Sequence, residues 1–367
     1  MKATILFLLI IWTGMTFAQT AKQYNGIEMK YDSLGAFSED FAKVRLNNKW
    51  GFIDFNGKEV ISPKYDDVQD FNENHAAVKL NGKYGLIDKS GKEITPCKYD
   101  YVWTFWNGRS IVKLNGKYGF VDGNGEEVIP LKYDKAGYFT DNRALVELNG
   151  KYGFIDPKGN EIIPIKYDDA AQMAFSSFVE GLTWVKLNGK YGFIDENGED
   201  VVPFKYDGAG NFSNDRAWIK LNDKYGFIDK TGKEITPVKY DEVKDFQENR
   251  AIVKLNALYG FIDKTGKEVI PIKFDKVNRF NGMNSTIVVF NGKYILIDKN
   301  GKILSKKYDY ADDGFACNCI RVRLGNKWGF IGENGEEIIP LKYDDAEMFR
   351  NCHASVTLNG KKMNINR

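Results

Sequence analysis

An all-β chain of ten tandem units is the fold the sequence predicts, and three observations predict it. The triplet Lys-Tyr/Phe-Asp recurs ten times, with its aromatic member at Tyr31, Tyr65, Tyr99, Tyr133, Tyr167, Tyr206, Tyr240, Phe274, Tyr308 and Tyr343. The spacing is 34 residues, broken once by 39 and once by 35. An aromatic-glycine pair keeps the same beat, from Trp50-Gly51 and Tyr84-Gly85 to Trp328-Gly329, with Tyr294-Ile295 and Lys362-Met363 as degenerate copies. Between these markers apolar residues alternate with a period of two, and no helical period competes. A fixed period over nearly a whole chain is the signature of a repeat fold, in which each unit is stabilised by its neighbours.

The elements of one unit follow from Lys239 to Ile272. Ala251, Val253 and Leu255 alternate with Ile252 and Lys254, which reads as a strand with two distinct faces. Most copies then carry Asn-Gly, as at Asn81-Gly82, Asn115-Gly116 and Asn149-Gly150, a hairpin signal because both residues accept positive φ. The next strand is therefore Tyr-Gly-Phe-Ile-Asp. A two-residue loop sets Val253 opposite Gly260, Ile252 beside Phe261 and Lys254 beside Tyr259, so one face is small and aliphatic and the other aromatic. The glycine removes a side chain where a backbone or ring must come close. Asp-x-x-Gly follows, as at Asp88 to Gly91 and Asp263 to Gly266, an Asp-capped turn that delivers glycine to the left-handed position. A third strand, Lys-Glu-Val-Ile, comes next. Eight of the nine prolines, from Pro63 to Pro340, fall just before the triplet and are expected to end ladder pairing there. A short fourth strand is expected from the triplet to the phenylalanine five residues after its Asp, as in Phe71, Phe105 and Phe246. One such meander cannot bury both faces, so each unit must stack on the next.

Residues 1–18 read as a signal peptide, with Lys2, an apolar run from Ile5 to Trp12, and Thr16-Phe17-Ala18 before a cleavage site. That run is too short for a mature span, so no transmembrane segment is expected after cleavage. Residues 19–26 form a short linker, and 27–367 the repeat array. The fifth unit carries an apolar insertion around Ala174 to Val179, either a packing plug or part of a contact surface. The tenth unit ends without its aromatic-glycine pair and final strand, as a terminal cap does. The array is expected to form an elongated superhelix or solenoid; a closed, propeller-like ring is the alternative.

These residues carry a family resemblance. The recurring KYGFID, GKEVIP and KYD segments, with Trp-Gly at Trp50 and Trp328, resemble the bacterial WG repeat, a β-strand repeat, from about Ile27 to the C-terminus. The resemblance implies fold far more than function. The NGK-aromatic hairpin is also similar to the choline-binding repeats of cell-wall-binding proteins, which form a superhelix of hairpins with ligands in aromatic cages between units. The repeat here is longer than theirs, and only Trp50 and Trp328 hold the Trp of the pair.

Charge and composition narrow the function. Lys plus Arg number 52 against 50 for Asp plus Glu, so no net field steers the chain to nucleic acid. The two histidines, His75 and His353, fall in or beside one repeat-loop slot and read as surface residues, so the chain is expected not to be an enzyme. An Asp that recurs in all ten Lys-Tyr-Asp triplets reads as a turn cap and lysine partner rather than an acid-base group, although a hydrolytic site such as that of a carbohydrate-active enzyme is the alternative. The Asp-x-x-Gly turns supply one carboxylate each, too few for calcium, so no metal and no cofactor are expected.

Two groups of side chains depart from the repeat. Trp103, Trp106, Trp184 and Trp218 stand in slots read as small or polar in other copies, and are candidate binding residues in a groove between successive units. Cys317 and Cys319 lie in the loop leading into one strand of unit nine and Cys352 in the equivalent loop of unit ten, so a bridge from Cys352 to Cys319 or Cys317 is expected in an oxidising compartment. Cys97, aligned with Ile272, is expected to be a buried free thiol. Together these features point to a secreted or periplasmic scaffold that binds a protein or a cell-envelope glycan. A toxin-associated or purely structural repeat is the third reading.

Overall fold

A computed structural model of the chain describes residues 30–171 and 178–367. The expected signal peptide and linker lie outside the described residues, as does most of the apolar insertion. The described residues are all-β and form ten small antiparallel sheets, one per repeat. They fall into two compact units, the first four sheets in one and the last six in the other.

The second sheet is representative. Its strands, in spatial and sequence order, are Asp67–Val68, His75–Leu80, Lys83–Asp88 and Glu93–Tyr99. The central hairpin has the register its two-residue loop dictates: Val78 opposes Gly85, Ala77 opposes Leu86 and Lys79 opposes Tyr84. Asn81 (φ 52°) and Gly82 (φ 82°) supply the two left-handed residues of the turn. At the other end Asp88 accepts hydrogen bonds from the N–H groups of Ser90 (2.9 Å) and Lys92 (3.0 Å), while Gly91 takes φ 81°.

Two expectations are corrected. Proline does not end the ladder. Pro130 lies inside the strand Glu127–Tyr133, and pairing shifts register across Gly119 before Tyr118 meets Tyr133. That strand is the outer edge of its sheet, where a missing N–H costs no ladder bond. The segment after the triplet is a strand of only two residues, such as Tyr101–Val102, followed by a loop to Phe105. In the sheets beginning at Gly208 and Lys276 the strand after the Asp-x-x-Gly turn shrinks to isolated bridges. Thr236 and Ser305 accept there from the N–H of Phe227 (2.9 Å) and Leu296 (2.9 Å), as Thr95 accepts from the N–H of Leu86 (3.0 Å) in the second sheet, where this strand is complete.

The core lies between sheets. Ile111, Phe120, Ile129 and Tyr133 on the aromatic face of the third sheet pack on Phe139, Ala144, Val146 and Ile155 of the fourth. The same pairing joins Phe227 and Tyr240 to Phe246, Ala251, Val253 and Ile262 in the second unit. No sheet could bury both faces by itself, so stability is shared along the stack.

Polar ties reinforce each step. Asp100 of a Lys-Tyr-Asp triplet accepts from Lys83 Nζ (2.6 Å) in its own sheet and from the turn N–H of Asn115 (2.7 Å) in the next. The lysine bond, and then the turn N–H, hold its carboxyl below the usual range. A second tie is absent from the sequence reading: Glu39 accepts from the N–H groups of Glu73 (2.7 Å) and Asn74 (2.9 Å), and Glu73 from those of Asn107 and Gly108 (both 2.8 Å). Its sequence signal is a glutamate recurring two residues before the strand, at Glu39, Glu73, Glu180 and Glu248.

At the last step the tie is covalent. Cys317 and Cys352 form a disulfide, so Cys317 is the partner of Cys352, and Cys319 is a buried free thiol. Cys317 stands where Glu73 stands in its repeat, so the bridge replaces the carboxylate clamp between these loops. Cys97 is free but half-buried rather than fully buried, with burial pushing its thiol pKa up. Cys352→Ser is expected to remove about 2–4 kcal/mol from the terminal repeat, the usual contribution of a loop closed at this length. Amide exchange checks it: protection should fall in His353–Leu358 and Lys361–Asn366 while the first four sheets are unchanged.

Candidate functional site

The short strand and the loop after it set the site. In most repeats the residue directly after the two-residue strand bonds to the middle of the strand that follows: Trp103 N–H bonds Ile111 O (2.9 Å) and Gly210 N–H bonds Trp218 O (2.9 Å). The two slots are filled in a compensating way. Trp103 stands over Ile111, Ala171 and Gly210 leave room for Trp184 and Trp218, and Asp312 forms an ion pair (2.9 Å) with Arg321. A Cβ at Gly210 would lie 2.0 Å from Trp218 Nε1.

This separates the four candidate tryptophans. Trp184 and Trp218 are half-buried, sit in slots held elsewhere by Ile111, Leu145 and Ile252, and lie 5.4 Å from Tyr191 and 5.6 Å from Tyr225. Their slots are therefore not small or polar throughout, and these rings fill space between strands. Trp106 is 38% exposed, with its ring 6.4 Å from that of Tyr138. Trp103 is half-buried and belongs to a run of rings, Tyr84 to Tyr101 at 5.0 Å, Tyr101 to Trp103 at 4.4 Å and Trp103 to Tyr118 at 5.4 Å. Trp103 and Trp106 thus both lie on the third repeat in the first unit, and of the two Trp103 lines the groove described next.

Beside them the first unit has an open groove of about 610 Å3, lined by residues from four consecutive repeats. Tyr101, Trp103 and Tyr138 form its aromatic surface, and Gln69, Asp70 and Asn72 much of its polar surface. The sequence reading missed Tyr101 and Tyr138: the slot of Tyr101 holds Asp67 and Lys135, and a tyrosine again at Tyr310, while Asp70 and Thr104 occupy that of Tyr138. The polar lining is held in place. Gln69 Nε2 donates to Val102 O (3.2 Å) and Tyr101 Oη (3.3 Å), and its Oε1 accepts from Thr104 (3.0 Å). Lys43 pairs with Asp70 at 3.1 Å. Burial, and then the nearby Tyr101, push the Tyr138 phenol pKa up, and Tyr84 is pushed up to about 12 by burial and its bond to Asp67, so these rings stay neutral.

The histidines and carboxylates take structural positions. His75 is half-buried rather than a surface residue, its ring stacked on Phe105 at 4.2 Å, with Nδ1 2.6 Å from Glu73 O and Nε2 3.0 Å from Gly123 O. It occupies the slot of Arg216, whose Nε donates to the equivalent carbonyl, Lys264 O, at 2.8 Å. His353 is exposed, with Nδ1 2.8 Å from Asn366 Oδ1. Among the described residues no three His, Cys, Asp or Glu side chains gather as a metal site, and no helix is long and apolar enough to cross a membrane.

Comparison with known proteins agrees with the repeat. No curated protein matches the sequence. Among solved structures, the chain is similar to a eukaryotic initiation factor, at 10% identity and a TM-score of 0.37 over 83% of this chain and 96% of that one. It is also similar to PorZ, a surface component of the type-IX secretion system of Porphyromonas gingivalis (12% identity, TM-score 0.27, 91% and 51%). A third likeness is to the extracellular domain of a putative hybrid two-component system from B. thetaiotaomicron (9% identity, TM-score 0.25, 91% and 57%). The chain spans about half the length of these last two. Likenesses at such scores carry no argument here, and family rests on the repeat itself. The WG containing repeat matches ten consecutive segments, 26–50, 50–84, 84–118, 118–152, 152–191, 191–225, 225–259, 259–294, 296–328 and 328–361. The chain belongs to the WG containing repeat family.

Proposed function

We propose that this chain is an exported, non-catalytic repeat scaffold that binds a protein or a glycan of the cell envelope, in the periplasm or outside the cell. One observation carries the reading: aromatic residues that the repeat does not require, Tyr101, Trp103 and Tyr138, line one groove of the first unit. All three are half-buried, packed on the core by one side and open to the groove by the other, and rings that line a groove in this way suit a contact surface. The absence of catalysis is supported by the commitment of the recurring carboxylates to turns and lysines, as at Asp88 and Asp100. Export is supported by the sequence of residues 1–18.

The test is retention of the purified mature protein by envelope fractions. Trp106→Ala, at an exposed ring beside Tyr138, is expected to leave stability within about 0.5 kcal/mol, as surface substitutions do. It should weaken retention at the same time. Wild-type protein that passes envelope fractions unretained, or material from the native host that still begins at Met1, argues against the reading.

A further inference from the structure

The groove in the first unit has a composition that selects one ligand chemistry. Its three unrequired rings come from two consecutive repeats: Tyr101 and Trp103 from the third and Tyr138 from the fourth. Other repeats fold with Asp67 or Gly208 in place of Tyr101, and with Gly137, Ala171 or Lys244 in place of Trp103. The fold therefore does not ask for these rings, yet all three open on one cavity.

Several ligand classes fit poorly. An extended peptide that adds to a sheet needs free backbone donors. The N–H groups of Gln69, Asn72, Trp103 and Trp106 are already committed to Ala77, His75, Ile111 and Arg109 carbonyls. An anionic polymer needs unpaired cations, but the groove's lysine, Lys43, is paired with Asp70. A lipid chain needs a continuous apolar wall, and here Gln69, Asp70, Asn72 and Thr104 alternate with the rings.

We propose that this groove binds a neutral oligosaccharide, with pyranose rings stacked on Trp103 and Tyr138 and hydroxyls bonded to Asn72 and the Lys43–Asp70 pair. The inference rests on the reading that the groove is the binding surface, and adds the class of ligand. The axial C–H groups of a pyranose meet the electron-rich face of an aromatic ring, and its hydroxyls exchange bonds with water for bonds to amide, amine and carboxylate. Because the groove is open and runs across repeats, it takes a chain of sugars rather than one residue. Gln69, held by three hydrogen bonds, fixes the loops against which the chain lies.

The experiment titrates the full mature chain with cello-, malto-, chito-, xylo- and mannohexaose, and with an oligogalacturonide as the anionic comparison, following tryptophan fluorescence and heat. Trp103→Gln and Tyr138→Thr place in each slot the residue of the preceding repeat, Gln69 and Thr104, so both variants should fold. Trp218→Ile, in the second unit, places there the residue of Ile252 and is the control. The expected result is saturable binding of at least one neutral hexaose, weakened about tenfold or more by either groove variant and unchanged by the control. Binding that survives both groove variants, or a preference for the oligogalacturonide, overturns the assignment. If no hexaose binds while envelope fractions still retain the wild-type protein through Trp106, the sugar assignment fails and the scaffold reading stands. If retention also fails, both fall.

Discussion

Gly119→Ala is expected to cost about 2–4 kcal/mol, although it adds one methyl group. The aromatic-glycine pair puts this Cα against the backbone of the neighbouring edge strand, where an added Cβ would lie 2.6 Å from Ile129 O and 2.9 Å from Leu131 N and Pro130 C. None of these atoms belongs to a side chain that can rotate away. The strand must move, and it carries Ile129 and Tyr133 into the core shared with the fourth sheet. Gly116, in the Asn-Gly turn, gives the contrast: nothing lies within 4 Å of its Cβ position, so Gly116→Ala is charged only with the φ of 80°, about 1 kcal/mol. Gly314, with open space and no left-handed φ, should accept alanine within about 0.5 kcal/mol. Guanidinium unfolding of the three variants tests the order. Equal losses at Gly119 and Gly116 would show that backbone conformation, not close approach, fixes this glycine.

Tyr133→Ala is the second large effect, expected at about 3–5 kcal/mol, the cost of emptying a fully buried aromatic site. The ring lies between two sheets, so the loss should appear in both when exchange is measured by residue. Its hydroxyl separates packing from polarity. Among the described residues the buried Tyr133 oxygen has no hydrogen-bond partner, whereas Tyr99 Oη donates to Glu127 at 2.9 Å and its pKa is pushed up to about 12 by burial and that bond. Tyr133→Phe should therefore be neutral or slightly stabilising, and Tyr99→Phe should cost about 1 kcal/mol. A large loss for Tyr133→Phe would contradict the packing account. The prediction reaches beyond one residue, because the aromatic of the triplet recurs in every repeat and does the same work wherever a sheet follows it.

Much of this was legible from short-range chemistry. The hairpin register follows from a two-residue Asn-Gly loop and the period of a strand, and the predicted pairs Val253–Gly260, Ile252–Phe261 and Lys254–Tyr259 are those the structure shows. The glycine's purpose followed from the same register. The Asp of Lys-Tyr-Asp was identifiable as a lysine partner and turn cap because it recurs without variation. Trp106 as an exposed ring was legible as well, since its slot holds Asn72, Thr140 or Ser213 elsewhere. The groove was only half legible: Trp103 drew attention by its type, while Tyr101 and Tyr138 passed as ordinary members of a tyrosine-rich chain.

By itself the sequence determined the central hairpin, its register, the turn types and the need for stacking, because each depends on residues a few positions apart and on a period repeated ten times. Tertiary structure decided what depends on residues from different strands. It let Pro130 stay in a strand, because only the assembled sheet shows that this strand is an edge. It placed Trp184 and Trp218 between strands, because the space they fill is left by Ala171 and Gly210. It chose Cys317 over Cys319 for Cys352, because Cys317 lies in the turn at φ 50°, whereas Cys319 begins the strand and turns into the core. And it brought Tyr101, Trp103 and Tyr138 to one groove, because positions that are distant along the chain become neighbours only when consecutive repeats stack.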